Sequence, residues 1–273
     1  MSKAGSRRHH RHLAAFLGMM VMGVGQVSAQ IDYRNLDDER PVFTEDAYPI
    51  ERHVFELLVP YRYEREADGG RVHSTVLELG YGIFDNAQFG VHVPFAVVDD
   101  PARTDFGLAG VQPFLLYNFN TESRSLPALA LRADLSIPVG PLGGSGTRGT
   151  VRAIATRSWG LTRLHLNALR SFGSEEELSV AEPARRWTYS AAVDRTMLRQ
   201  SMLLVAEIVT SRAVADAPVE VNAGVGVRWQ WTPTIVLDAG VTRRLREHGP
   251  DIGLTFGLSH AFAVRGLMPS GLR

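Results

Sequence analysis

The chain contains no cysteine, which rules out a disulfide framework, a thiolate nucleophile and a cysteine-ligated metal. Mean hydropathy is −0.05, and no apolar run reaches the ~18 residues that a membrane-crossing helix needs. Lysine is nearly missing: Lys3 is the only one. The formal charge is +0, so the basic footprint of a nucleic-acid-binding protein is absent. These absences exclude covalent staples, a helical membrane span and a nucleic-acid footprint, and leave the fold class to the pattern along the chain.

What is present begins with an export signal. Lys3, Arg7, Arg8 and Arg11 form a basic start, LAAFLGMMVMGVG (13–25) an apolar stretch, and Val27-Ser28-Ala29 a small-residue cleavage site. Residues 1–29 are expected to be removed, and the apolar stretch is too short to anchor the chain as a helix across a ~30 Å bilayer. The mature chain then holds 25 arginines against 29 carboxylates, a net charge of −4. The acidic segment 30–50 lacks either period; the expectation is a mobile N-terminal periplasmic segment, with insertion into a barrel as the alternative.

From there onward the pattern is strand after strand. Twelve segments are expected, at 53–65, 71–84, 87–98, 104–119, 126–139, 150–159, 161–170, 186–197, 202–211, 219–231, 234–246 and 251–263. In VEVNAGVGVRWQW (219–231) every odd position is apolar and every even one is polar or glycine, which defines two opposed faces. The stretches 126–139, 87–97 and 252–259 repeat the pattern. Their length suits a tilted strand crossing a bilayer, about 9–11 residues, better than a globular strand of about 5–6.

The polar face carries glycine and charges of both signs well inside the segments, unlike the rinsed face of a soluble sandwich. Candidates for the lining of a barrel lumen are Glu56, Arg62, Glu78, His92, Arg132, Asp134, Arg163, His165, Asn167, Asp194, Glu207, Glu220, Asn222, Arg228 and Asp238. Long connections such as 140–149 and 171–185 alternate with tight ones such as Asp85-Asn86 and Thr232-Pro233, the asymmetry of outer-membrane barrels. Tyr117, Phe119, Trp159, Trp229, Trp231 and Phe262 fall beside the tight turns, and Tyr61, Tyr63 and Trp187 near the long loops. Rings at both ends fit two interfacial girdles. The expected architecture is a single antiparallel up-and-down transmembrane barrel of about 12 strands over 51–265, with a tail at 266–273. Against it stand Pro60, Pro94, Pro113 and Pro138 within strands, and 151–159, where Ile154 and Arg157 break the alternation.

The segments 40–64, 126–140, 164–173, 202–208, 221–245 and 250–262 together resemble the outer-membrane barrel family named for the meta-pathway of phenol degradation. That resemblance implies a transporter-like barrel linked to aromatic catabolism and supplies no catalytic residue. The chain departs from it by running on as AVRGLMPSGLR past Phe262.

The functional expectation is a channel for small, apolar or aromatic solutes in the outer membrane of a Gram-negative bacterium, with membrane lipid and solute as partners. No catalytic residue, cofactor, metal or nucleic acid is expected. Mixed lumen charges can instead form a closed structural network. His165, Asn167 and Ser171 invite a lipid hydrolase, but they share the lumen face and no nucleophile elbow surrounds Ser171. His92 and His260 read as ordinary lumen or rim residues. Glu175–Glu177 form a charge run in the longest loop, either solvated or a cation-attracting mouth.

Overall fold

The computed structural model describes residues 31–66, 69–100, 103–173, 186–197, 201–213, 218–246 and 250–268. The leader, Glu175–Glu177 and the last five residues of the tail lie outside them. The described chain is a closed antiparallel barrel with one short 3₁₀ turn, Arg265–Leu267, after the last strand. The strands are β1 Phe55–Arg65, β2 Arg71–Phe84, β3 Ala87–Asp100, β4 Arg103–Leu108, β5 Gln112–Asn120, β6 Ala128–Ser136 and β7 Arg148–Trp159. They continue with β8 Thr162–Phe172, β9 Arg186–Met197, β10 Met202–Ala213, β11 Glu220–Thr232, β12 Ile235–Arg244 and β13 Ile252–Phe262. Each pairs with its chain neighbour, except that β4 and β5 both pair with β3, and β1 pairs with β13 from Phe55↔Phe262 to Arg65↔Ile252. Closure removes the sheet edge that a bilayer could not satisfy.

The expected strand 104–119 is two elements. β4 pairs with the upper part of β3 (Phe95↔Leu108) and β5 with its lower part (His92↔Gln112). Gly107 and Gly110 between them have φ of 150° and 120°, a backbone that L side chains rarely adopt. The barrel therefore has twelve crossings, the fourth of them broken. Beside the break Leu142 donates its backbone N–H to Leu108 at 3.0 Å, so the 137–147 loop covers the exposed side of β4.

The prolines are accommodated locally. Pro138 lies beyond the end of β6. At Pro60 the β1–β2 ladder opens from Val59 to Tyr61, and the Thr75 hydroxyl donates to the freed Pro60 carbonyl at 2.5 Å. Register shifts fall beside tight turns, at Gly82/Phe84, Asn118/Asn120 and Gln230/Thr232.

The alternation read from sequence separates the two faces of the wall. Leu131, Leu166, Val193, Ile208, Val225 and Phe256 point outward and are exposed, an apolar exterior suited to lipid. Arg132, Arg163, Asn167, Glu207 and Arg228 point inward and are buried.

What buries them is the N-terminal segment. The expectation of a mobile periplasmic stretch is corrected: residues 31–54 lie inside the barrel. Ile31 donates to the Pro233 carbonyl at the tight-turn end (3.0 Å), and the chain then climbs the lumen. It turns at Asp37–Arg40, closes on itself through Asp46 N–H to Leu36 O at 3.1 Å, and descends. Ile50 donates to the Gln88 side chain at 2.6 Å, and His53 to the Gly82 carbonyl at 2.8 Å, before β1 begins. Ile31, Leu36, Val42, Ile50 and Val54 join Leu203, Val205, Val236 and Ala261 in an apolar cluster within the barrel.

That cluster and its partner explain the poor alternation of 151–159. Ile154 faces inward because it packs with Ala47, Leu116 and Ala130. Arg157 faces outward, where Nη1 donates to the Leu126 carbonyl at 3.0 Å and Nη2 to the Arg124 carbonyl at 2.6 Å.

Val225→Arg, on the exposed outer face at mid-strand, is expected to destabilise the folded barrel by about 2–4 kcal/mol, as a charge on a lipid-facing position does. Urea unfolding in lipid vesicles measures this, and Gln230→Arg on the inner face is the comparison.

Candidate functional site

Within the barrel, buried charges of both signs converge, and their organising contacts run between wall and N-terminal segment. Arg132 and Arg152 are direct cross-strand partners on β6 and β7, an unfavourable like-charge pair by itself. Two carboxylates of the segment bridge them. Glu45 lies 2.8 Å from Arg132 and 3.1 Å from Arg152, and Asp38 lies 3.5 Å and 2.5 Å from the same two. Arg132 also holds Asp134 at 2.9 Å and stacks over Phe114 at 3.9 Å. Burial opposes ionisation of Asp38, yet Arg152, Arg132 and His92 outweigh it and hold its carboxyl at about 2.

Two further arginines repeat the arrangement. Arg163 on β8 pairs with Asp194 at 2.6 Å on β9 and with Asp46 of the segment at 3.1 Å. Arg228 on β11 pairs with Asp37 at 2.6 Å. The direction reverses at Asp238 on β12, which accepts from Arg40 of the segment. Glu207 on β10 holds the segment by its backbone, accepting from Phe43 N–H at 2.9 Å, Thr44 N–H at 3.0 Å and the Thr44 hydroxyl at 2.8 Å. Asn167 accepts from Glu45 N–H at 3.0 Å and donates to Glu45 C=O at 2.8 Å, as a strand partner would.

The other expected residues divide into four groups. Glu78 and His92 pair with each other at 2.8 Å. Glu220 pairs with Arg186 at 2.9 Å toward the long-loop end, and Asn222 lines a space there. Glu56 is buried with one carboxylate oxygen lacking any hydrogen bond. Arg62 contacts Glu39 at 3.3 Å and Glu64 at 3.8 Å. Its side chain is 25% exposed and that of Glu39 42%, against 0–4% for Arg132, Arg152, Arg163 and Arg228. Among the described residues, free volume within the barrel lies near this pair. One cavity of about 70 Å³ lies beside Asp38, Glu39, Ser74 and Gln112, and another of about 100 Å³ beside Phe43, Glu64, Glu207 and Asn222. Arg62 and Thr255 border both.

Glycine on the polar face has a specific cause. Gly226, Gly240 and Gly257, on β11, β12 and β13, form the bed of Arg40–Pro41. A Cβ on Gly240 would lie 2.2 Å from the Pro41 carbonyl oxygen, one on Gly226 2.7 Å from the Pro41 ring, and one on Gly257 2.8 Å from Arg40 Nε.

The hydrolase arrangement does not assemble. His165 sits between Thr156 at 3.0 Å and Asp194 at 2.8 Å, all fully buried. Thr156 Oγ1 is occupied by the Ala47 N–H at 3.0 Å, and Asp194 by Arg163. Ser171 lies further along β8 and accepts from Arg186 N–H at 2.8 Å. Asp38, His92 and Asp134 have ligand atoms within 4.8 Å of one another, but Arg132 Nη2 is 3.5, 3.2 and 2.9 Å from the three. A guanidinium already holds the cation position.

Arg152 and the segment residues Asp37, Asp38, Glu45 and Asp46 were not among the sequence candidates. The available signal was the acidic character of 30–50 beside a wall whose candidates included four arginines.

Arg132→Ala is expected to cost about 3–5 kcal/mol by leaving buried carboxylates uncompensated, whereas Arg62→Ala, at an accessible pair, is expected to cost about 0–1 kcal/mol. Chemical denaturation of the detergent-solubilised barrel checks both. Gly240→Val is expected to unseat the segment while the barrel remains folded. Limited proteolysis should then cleave within residues 31–54, and the barrel should keep its heat-modifiable gel migration.

No protein-family model matches the sequence, and no curated protein matches it either. Solved structures do resemble it. The COG4313 outer membrane channel from Pseudomonas putida F1 aligns with a TM-score of 0.63 at 16% identity, over 83% of this chain and 100% of that one. The KdgM porin aligns at 0.53 and 12% identity, over 75% of this chain and 99% of that one. The NanC porin aligns at 0.54 and 9% identity, over 76% and 98%. At such identities the likeness is one of fold, and the fold of this chain is that of outer-membrane β-barrels.

Proposed function

We propose that the protein is an outer-membrane channel for small solutes whose lumen is closed at the tight-turn end by its own N-terminal segment. One observation carries the reading. The segment is joined to the wall at mid-lumen through guanidinium–carboxylate and backbone contacts, so its displacement would uncover a charged, water-compatible stretch of passage there. The long-loop end faces the exterior, as loop lengths in this class dictate, and solute enters beside Arg62, Glu39 and Glu64. Passage is passive and selected by width and charge, with no cofactor and no covalent step.

The solute class draws on two supports. Resemblance to the meta-pathway barrels favours aromatic compounds. The charged wall favours solutes that also carry a polar or ionised group, and a KdgM structure in complex with oligogalacturonate shows a porin of this fold holding such a solute. Small aromatic acids satisfy both and are the first to test.

A second reading, a closed barrel with a structural role, is favoured by the filling of the tight-turn half. Deleting residues 31–49 from the exported chain separates the two. In planar bilayers the deletion variant is expected to show discrete conductance steps severalfold larger than those of the intact chain, and liposomes containing it should swell in small sugars and aromatic acids. A deletion variant that folds and passes nothing would refute the channel and leave the structural role.

A further inference from the structure

The outer face carries a charge arrangement that the fold does not neutralise. Arg65 on β1 and Arg71 on β2 are direct cross-strand partners at the long-loop rim. Arg65 also pairs with Ile252 on β13, whose other partner is Arg243 on β12. These three arginines therefore lie in one row across four adjacent strands. All point outward and are exposed, and among the described residues no hydrogen-bond or ion-pair partner meets any of the three guanidiniums. The one carboxylate in register with the row, Asp99 opposite Arg71, accepts instead from the Thr104 hydroxyl at 2.7 Å.

Inside the barrel the equivalent cross-strand pair, Arg132 and Arg152, is neutralised by two carboxylates. Outside, among the described residues, no carboxylate is paired with the row. Immediately below the row Tyr61 bonds His73 at 2.8 Å, with Tyr63 against the same ring at 5.1 Å. Amphipathic rings of this kind settle at the headgroup level of a membrane. The row thus lies at the height of lipid phosphates, where closely spaced guanidiniums bind phosphate oxygens by charge-assisted hydrogen bonds.

We propose that Arg65, Arg71 and Arg243 form a binding site for the phosphate groups of a phosphorylated glycolipid in the outer leaflet. The site fixes the barrel's depth and rotation against a particular lipid and is separate from the lumen. Among the described residues the opposite rim offers no equivalent row: its outward Arg195 is tied to the Thr162 hydroxyl at 3.1 Å, and Arg157 to turn carbonyls.

The test uses the full mature chain in detergent micelles, titrated with fluorescent bis-phosphorylated lipid A and with the same lipid after dephosphorylation. The wild type is expected to prefer the phosphorylated lipid. The triple variant Arg65→Ala/Arg71→Ala/Arg243→Ala is expected to lose at least tenfold in affinity for it, and the corresponding triple Lys variant to retain most of it. Heat-modifiable migration verifies that each variant is folded. Equal affinity of wild type and triple Ala variant would overturn the proposal. So would equal binding of the two lipids, or a loss on Arg195→Ala as large as that of the triple variant.

Discussion

Two guanidiniums placed side by side in a closed barrel need carboxylates between them, and that need organises this molecule. Arg132 and Arg152 occupy opposed positions on neighbouring strands, where water cannot screen them. Asp38 and Glu45 are the groups that make the pair tolerable. Because both carboxylates belong to the N-terminal segment, holding the wall together electrostatically and filling the lumen are one act. Arg163 with Asp46 and Arg228 with Asp37 extend the same requirement around the barrel. Burial of these pairs is weak evidence for stability as such; what it confers is a single seating, since shifting the segment along the lumen would strand several charges at once.

The backbone is fitted to that seating. Glu207 and Asn167 grip peptide groups, so the segment is held as an additional strand would be, without entering the sheet. Glycines at 226, 240 and 257 hollow the wall where Pro41 approaches. Among the described residues, cavities within the barrel lie beside Arg62, whose pair with Glu39 is more accessible than the mid-lumen pairs. Salt weakens accessible pairs first, which makes this corner the softest contact of the seated segment.

The wall was legible in the sequence and its contents were not. Alternation with a period of two assigns faces without knowledge of neighbours, which is why the row from Val219 to Trp231 and the inward positions Arg132, Arg163 and Arg228 could be read directly. It failed where something other than lipid or water met the wall. Ile154 violates the pattern because an inward residue touching Ala47 does well to be apolar. The break at Gly107–Gly110 shifts the alternation by one residue, so that Phe106 and Leu108 on β4 face the same way as Leu115 and Tyr117 on β5, and a slip that short does not show in a run of apolar residues. The segment 31–54 has no period because its partners lie on many different strands, so no local repeat could encode it.

The order of the chain adds a constraint on assembly. The segment emerges first, yet its partners come from much later: Glu45 meets Arg132 87 residues on, and Arg40 meets Ser259 219 residues on. Contacts of such separation form late, after loop closure has been achieved by other means. The segment also leads directly into β1, the strand whose pairing with β13 completes the ring. Closing the ring and capturing the segment are therefore joined in time as well as in space, and the last seam to zip encloses the stretch that leads into it.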